Sequence, residues 1–142
     1  MATSRSQSQS AAIPFISVSA IIHVLPLPGI LGASALERLY GIRFSERSVG
    51  GDTDNTSSAT LLIALQHRAA MFGTLGAGLI LGTFYHRPSL PVAIGMTLVS
   101  DVSFLALTMP KWKNLNSKMK RVAFADIVSI VCLVVGYPQI MS

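Results

Sequence analysis

The chain has 142 residues, of which 51% are hydrophobic and only 12% charged, with a formal net charge of +5. An average soluble domain is about a quarter charged, so this composition argues against an ordinary water-facing domain and for a bilayer as solvent. The excess positive charge does not point to nucleic acid: Lys111, Lys113, Lys118, Lys120 and Arg121 crowd into one connection between apolar runs, and the few aromatic residues lie mostly inside those runs.

The length allows one domain at most. Residues 1–11, Ser/Gln-rich and free of acidic side chains, read as a disordered tail. A cleaved targeting peptide is the rival reading, because the apolar run over 12–36 passes through Ala33-Ser34-Ala35. Its length and the lone Arg5 argue against cleavage. The run is the first expected span, and Pro14, Pro26, Pro28 and Gly29 are expected to kink or break it. In lipid, the backbone groups they free must find partners inside the protein.

A polar connection over 37–58 follows, with Glu37 at its mouth and the formal glycosylation sequon Asn55-Thr56-Ser57 near its end. The second span is expected over 59–85, long enough to cross about 30 Å of hydrocarbon. Gly78 and Gly82 form a small-xxx-small pair that lets a neighbouring helix approach closely. The third span is expected over 91–109, ended by Pro110 with Trp112 as an interfacial aromatic, and the fourth over 119–137, closed by Pro138. Tyr40, Tyr85 and Tyr137 sit near span ends and read as interface anchors. Cys132, the single cysteine, reads as a small buried hydrophobe. One cysteine excludes an intrachain disulfide and a cysteine-based zinc site. The fold expected is all-α, an integral membrane four-helix bundle over 12–138. The positive-inside rule puts the two basic connections in the cytosol and both termini outside or in a lumen. The endoplasmic reticulum is the default address.

Ionisable groups inside a bilayer are costly, ~2.5–3.5 kcal/mol for a central Arg or Asp on insertion scales. The informative residues are therefore His23, Gln66, His67, Arg68, Asp101 and Asp126. From the helical rise, Arg68 and Asp101 lie ~14 Å, and Asp126 ~9 Å, in from the same face. They share one slab, so Arg68 is expected between the two aspartates. Two carboxylates flanking a guanidinium supply a general acid and a general base together. That suits opening of an epoxide, or cyclisation of a lipophilic intermediate. The catalytic candidates are Asp101, Asp126, Arg68 and His67, the last as proton relay or as a group that positions the others. The substrate-binding candidates are Gln66, His23 and Glu37. His23 and Gln66 are also explained as a satisfied core histidine and as glue between helices. Neither a metal nor another cofactor is expected, and no phosphate-binding loop, dinucleotide fingerprint or serine elbow is present.

The pattern Leu39-Tyr40-Gly41, Gln66-His67-Arg68-Ala69 with Phe72-Gly73, Ser100-Asp101 and Arg121-Val122-Ala123-Phe124-Ala125-Asp126 resembles a group of small four-helix membrane proteins over most of residues 36–135. Fungal members occur with polyketide or terpenoid pathways, where they are regarded as hydrolases or cyclases. The resemblance implies an enzyme of secondary-metabolite biosynthesis. It carries Arg68, Asp101 and Asp126 forward without assigned roles and does not cover the first span, so it adds nothing to His23. The expected partners are a lipophilic small-molecule substrate, membrane lipids, and pathway enzymes or further copies of the chain, with no nucleic acid. The competing reading is a non-catalytic membrane subunit or scaffold whose Arg/Asp network locks helices together.

Overall fold

The computed structural model describes residues 2–41 and 52–141, and among these every regular element is helical. Five α-helices follow in order: α1 (Ala2–Val24), α2 (Ala33–Tyr40), α3 (Asp52–Phe84), α4 (Leu90–Thr108) and α5 (Ser117–Met141). The stretch expected to be a disordered tail instead opens α1. No proline or glycine interrupts the chain before Pro14, so helix once nucleated in the apolar run extends backwards through it.

The first apolar run is not one helix to residue 36. The last α1-type hydrogen bond runs from the Leu25 N–H to the Ile21 carbonyl, and the prolines at 26 and 28 offer no further donors. The chain turns through a short 3-10 segment, Leu27–Leu31, and starts α2 after Gly32. Gly32 has φ 155° and ψ 172°, a region open essentially to glycine alone. Helix α2 ends at Gly41, which is left-handed at φ 70° and donates its N–H to the Glu37 carbonyl at 2.9 Å. The polar connection expected over 37–58 is thus helical at both ends, and its middle, 42–51, lies outside the described residues.

The third and fourth runs match α4 and α5 closely. Pro91 sits in the first turn of α4, where a missing donor costs nothing. Asn116 caps α5 by accepting the Met119 N–H at 2.7 Å, and its amide donates to the Tyr40 carbonyl at 3.2 Å, tying the start of α5 to the end of α2. Pro138 does not close α5: the helix continues to Met141. One backbone bond lost near a helix end costs less than exposing the last turn.

Among the described residues three segments are long and apolar enough to cross a bilayer: Ser10–Leu31, Arg87–Asn114 and Ser117–Ile140. Helix α3 has the length, but Gln66-His67-Arg68 interrupts its apolar run. The four long helices pack in a ring, α1 against α3 and α5, and α4 against the same two. Small residues let them close up. A Cβ at Gly76 would stand 2.9 Å from the Ala20 carbonyl oxygen of α1, and one at Gly82 would stand 2.8 Å from the Leu90 Cα at the start of α4. Gly82 therefore carries the close approach expected of the Gly78/Gly82 pair, while Gly78 makes only an ordinary contact with Ala93.

An apolar core that includes Ile16, Leu79, Ile94 and Leu133 joins the helices, and the outer surface is also apolar, unlike that of a water-soluble protein. Large apolar side chains face outward on every long helix, with Ile63, Val99 and Leu107 each about two-thirds or more exposed. Ser19, His23, Thr97, Asp101, Asp126 and Ser129 are buried. Such an arrangement is stable where the outside is hydrocarbon and the polar groups pair internally.

Candidate functional site

The inward polar and aromatic residues recur at i, i+3 or i, i+4 on their helices, which puts each set on one face. Helix α1 presents Ser19 and His23, α3 Arg68 and Phe72, α4 Asp101 and Phe104, α5 Asp126 and Ser129. The bundle brings these faces together.

His23 Nδ1 lies 2.8 Å from the Ser19 carbonyl oxygen, and Nε2 lies 2.9 Å from Asp101 Oδ1. A carbonyl only accepts, so Nδ1 carries a proton. The second contact then requires exactly one further proton between Nε2 and the carboxyl, as imidazolium with carboxylate or as imidazole with carboxylic acid. Both groups are fully buried, and the bond joins helices on opposite sides of the ring. The Ser19 and Ser129 hydroxyls meet at 2.7 Å and tie α1 to α5 on the same level.

Arg68 Nη2 stands 3.8 Å from Asp126 Oδ2, an ion pair without a closed hydrogen bond. Its guanidinium carbon sits 3.7 Å from the centroid of the Phe104 ring and 4.6 Å from that of Phe72, so the cation is held between two aromatic faces. Phe72 in turn packs against the His23 ring, with centroids 5.1 Å apart. The sequence places Arg68 between two aspartates; the structure pairs it with Asp126 and gives Asp101 to His23.

Tyr40, at the end of α2, is buried, and its hydroxyl closes no hydrogen bond. Burial pushes that hydroxyl above its ordinary pKa, and the Arg68 guanidinium beside it pulls the other way. Tyr40 and Asp126 are both part of the wall of a cleft of about 300 Å³. Ile22, Leu25, Leu39, Phe72 and Val122 supply apolar walls, and Arg38, Lys118 and Arg121 supply a basic mouth. Beside it a polar recess is lined by Glu37, Arg38, Asn116 and Lys118.

No family model, curated protein or solved structure matches the chain.

Of the sequence candidates, Arg68, Asp101, Asp126 and His23 converge in the bundle interior. His67 is on the exposed side of α3 and does not join them. Gln66 is turned to the α1–α2 break, where its amide donates to the Ile30 carbonyl at 3.2 Å. Glu37 lies at the recess, and its backbone carbonyl accepts from the Lys118 ammonium at 3.4 Å. Among the described residues no three His, Cys, Asp or Glu side chains gather as metal ligands. Sequence reasoning read Tyr40 as an interface anchor and Lys118 and Arg121 as topology signals, and it did not single out Ser19 or Ser129. The four-residue step from Ser19 to His23 and the three-residue step from Asp126 to Ser129 were the available signals.

Proposed function

We propose that this chain is a membrane-embedded acid/base enzyme, a hydrolase or cyclase that opens an epoxide-like lipophilic intermediate in the cleft. The supporting observation is that a buried carboxyl and a buried hydroxyl, Asp126 and Tyr40, share one apolar cleft and are both served by Arg68. In the hydrolytic form, the Asp126 carboxylate takes a proton from water as its oxygen attacks the epoxide carbon. The carbon–oxygen bond breaks, and the leaving oxygen takes the Tyr40 proton. Transfer of the proton from Asp126 to the tyrosinate restores both groups, so water and epoxide give a diol. In cyclisation an internal hydroxyl replaces water. Arg68 stabilises the carboxylate and the transient tyrosinate in turn. The His23–Asp101 pair stands behind Asp126 as a second one-proton store. This assignment keeps Asp101 in the proton inventory and leaves His67, Gln66 and Glu37 outside the chemistry.

In this reading α1, α3, α4 and α5 form the four-span bundle. The α2 connection and the segment between α4 and α5 lie on the cytosolic side, with both termini outside or in the lumen of the endoplasmic reticulum. The resemblance to pathway-associated four-helix proteins points in the same direction.

The test is deletion of the gene with metabolite profiling by mass spectrometry. An accumulated lipophilic epoxide or uncyclised precursor is expected. The wild-type gene should clear it, whereas Asp126→Asn or Asp101→Asn should accumulate as protein without clearing it. Full activity in both variants would end the proposal.

A second reading, a non-catalytic subunit or scaffold, has its own support. The His23–Asp101 and Ser19–Ser129 bonds bridge helices from outside the cleft lining. On that reading the same substitutions reduce recovery of a stoichiometric larger complex from detergent and leave no product unmade.

A further inference from the structure

We infer that the cleft takes an amphiphile with an anionic head, a carboxylate or phosphate on a single apolar body, its charge held at the mouth by Arg38, Lys118 and Arg121. This names the ligand class of the site proposed above and rests on that reading only for the ligand's subsequent conversion. Three cations from two elements meet at one opening: Arg38 on α2, and Lys118 and Arg121 one turn apart on α5. Lys118 is anchored there. Its ammonium donates to the Glu37 carbonyl, and its stem lies over Gly41, where a Cβ would come within 2.9 Å of it. Among the described residues, one carboxylate, Glu37, lines the adjoining recess, against three cations at the mouth.

Behind the mouth the walls are almost wholly apolar until Asp126 and Tyr40. Cations at one end and hydrocarbon walls behind match a molecule with the same polarity along its length. A neutral lipophile gains nothing from the cations, and a cationic amphiphile is repelled by them. At about 300 Å³ the cleft lies at the lower end of small-molecule sites, ~300–1,000 Å³. It therefore suits one chain or a compact ring system rather than a two-tailed lipid. An anionic head pinned at the mouth would also fix which carbon of the body reaches Asp126.

The experiment uses the full chain in phosphatidylcholine nanodiscs and equilibrium binding of radiolabelled decanoate, decyl phosphate, decanol and decyltrimethylammonium. Saturable binding of the two anions is expected, with decanol about tenfold or more weaker and the cation weaker still. Arg38→Gln/Arg121→Gln should lose about tenfold in anion affinity and leave decanol unchanged. Replacing part of the phosphatidylcholine with phosphatidylserine separates the sources. Competition would seat a two-tailed lipid in the cleft and overturn the inference of a single apolar body, whereas its absence supports a free amphiphile. Equal binding of decanol and decanoate, or an anion affinity unmoved by the double arginine variant, overturns the inference. Because binding needs no turnover, an anion site in a chain that opens no epoxide sinks the enzymatic reading alone. Turnover with charge-blind binding sinks only this inference.

Discussion

His23 Nε2 and Asp101 Oδ1 stand 2.9 Å apart in the centre of the bundle, and neither side chain has any exposed surface. Because Nδ1 is committed to the Ser19 carbonyl, the pair is electrically neutral in either proton arrangement, and that neutrality is what makes its burial affordable.

Substitutions at Asp101 should separate hydrogen bonding from charge. An amide at 101 can donate to a neutral His23 ring, so Asp101→Asn should cost about 1 kcal/mol. Asp101→Leu leaves Nε2 of the neutral ring without a partner and should cost more, ~1–3 kcal/mol, together with the misfit of the new side chain. Reversible unfolding in mixed micelles measures both, and equal losses would mean that the contact is not what holds the two helices.

Arg68 is held by ring faces as well as by charge. Arg68→Lys keeps the cation but not the planar stack between Phe72 and Phe104, and should lose about 1–2 kcal/mol. Arg68→Met leaves Asp126 with no counter-charge and should lose ~3–5 kcal/mol, much of it recovered in Arg68→Met/Asp126→Leu. A double-mutant cycle reads this coupling directly, and additive losses would contradict the pairing.

Tyr40→Phe removes a buried hydroxyl that makes no hydrogen bond, so stability should stay within about 0.5 kcal/mol of wild type. If the hydroxyl is the general acid proposed here, turnover should fall by about 10²-fold or more. Loss of stability without loss of turnover would assign Tyr40 to packing alone.

Two glycines should respond oppositely to alanine. At Gly76 the added Cβ meets backbone of α1, and Gly76→Ala should cost ~1–3 kcal/mol through separation of α1 and α3. At Gly95 nothing lies within 4 Å, and Gly95→Ala should be neutral or stabilise by up to about 1 kcal/mol. Thermal unfolding of the pair in one detergent distinguishes them.

The sequence was most legible where a residue's depth decides its neighbours. Pro91 and the run before Pro110 locate α4, and the helical rise brings Arg68 and Asp126 to one level, where they pair. Rise does not give azimuth, the rotation of each helix about its axis. For that reason Arg68 is expected at Asp101 as well, whereas the rotation of α1 gives that carboxyl to His23. The same ignorance of rotation places His67 in the interior when it is exposed. The short α2 was hidden for another reason: the apolar run continues through Pro26 and Pro28 without a polar residue to mark the turn, so Tyr40 is read at a span end rather than in the wall of a cleft.

The hydrogen bond between the Gln66 amide and the Ile30 carbonyl has a temporal side. The two residues are 36 positions apart, so the chain must be extended by that much after Ile30 is made before Gln66 exists. At ~5–20 residues per second this is an interval of a few seconds. During it the interrupted backbone beyond α1 has to be sheltered by water at the interface or by the insertion machinery, since lipid offers it no donor. The hydrogen bond that satisfies the Ile30 carbonyl can therefore form only after the middle of α3 has been made.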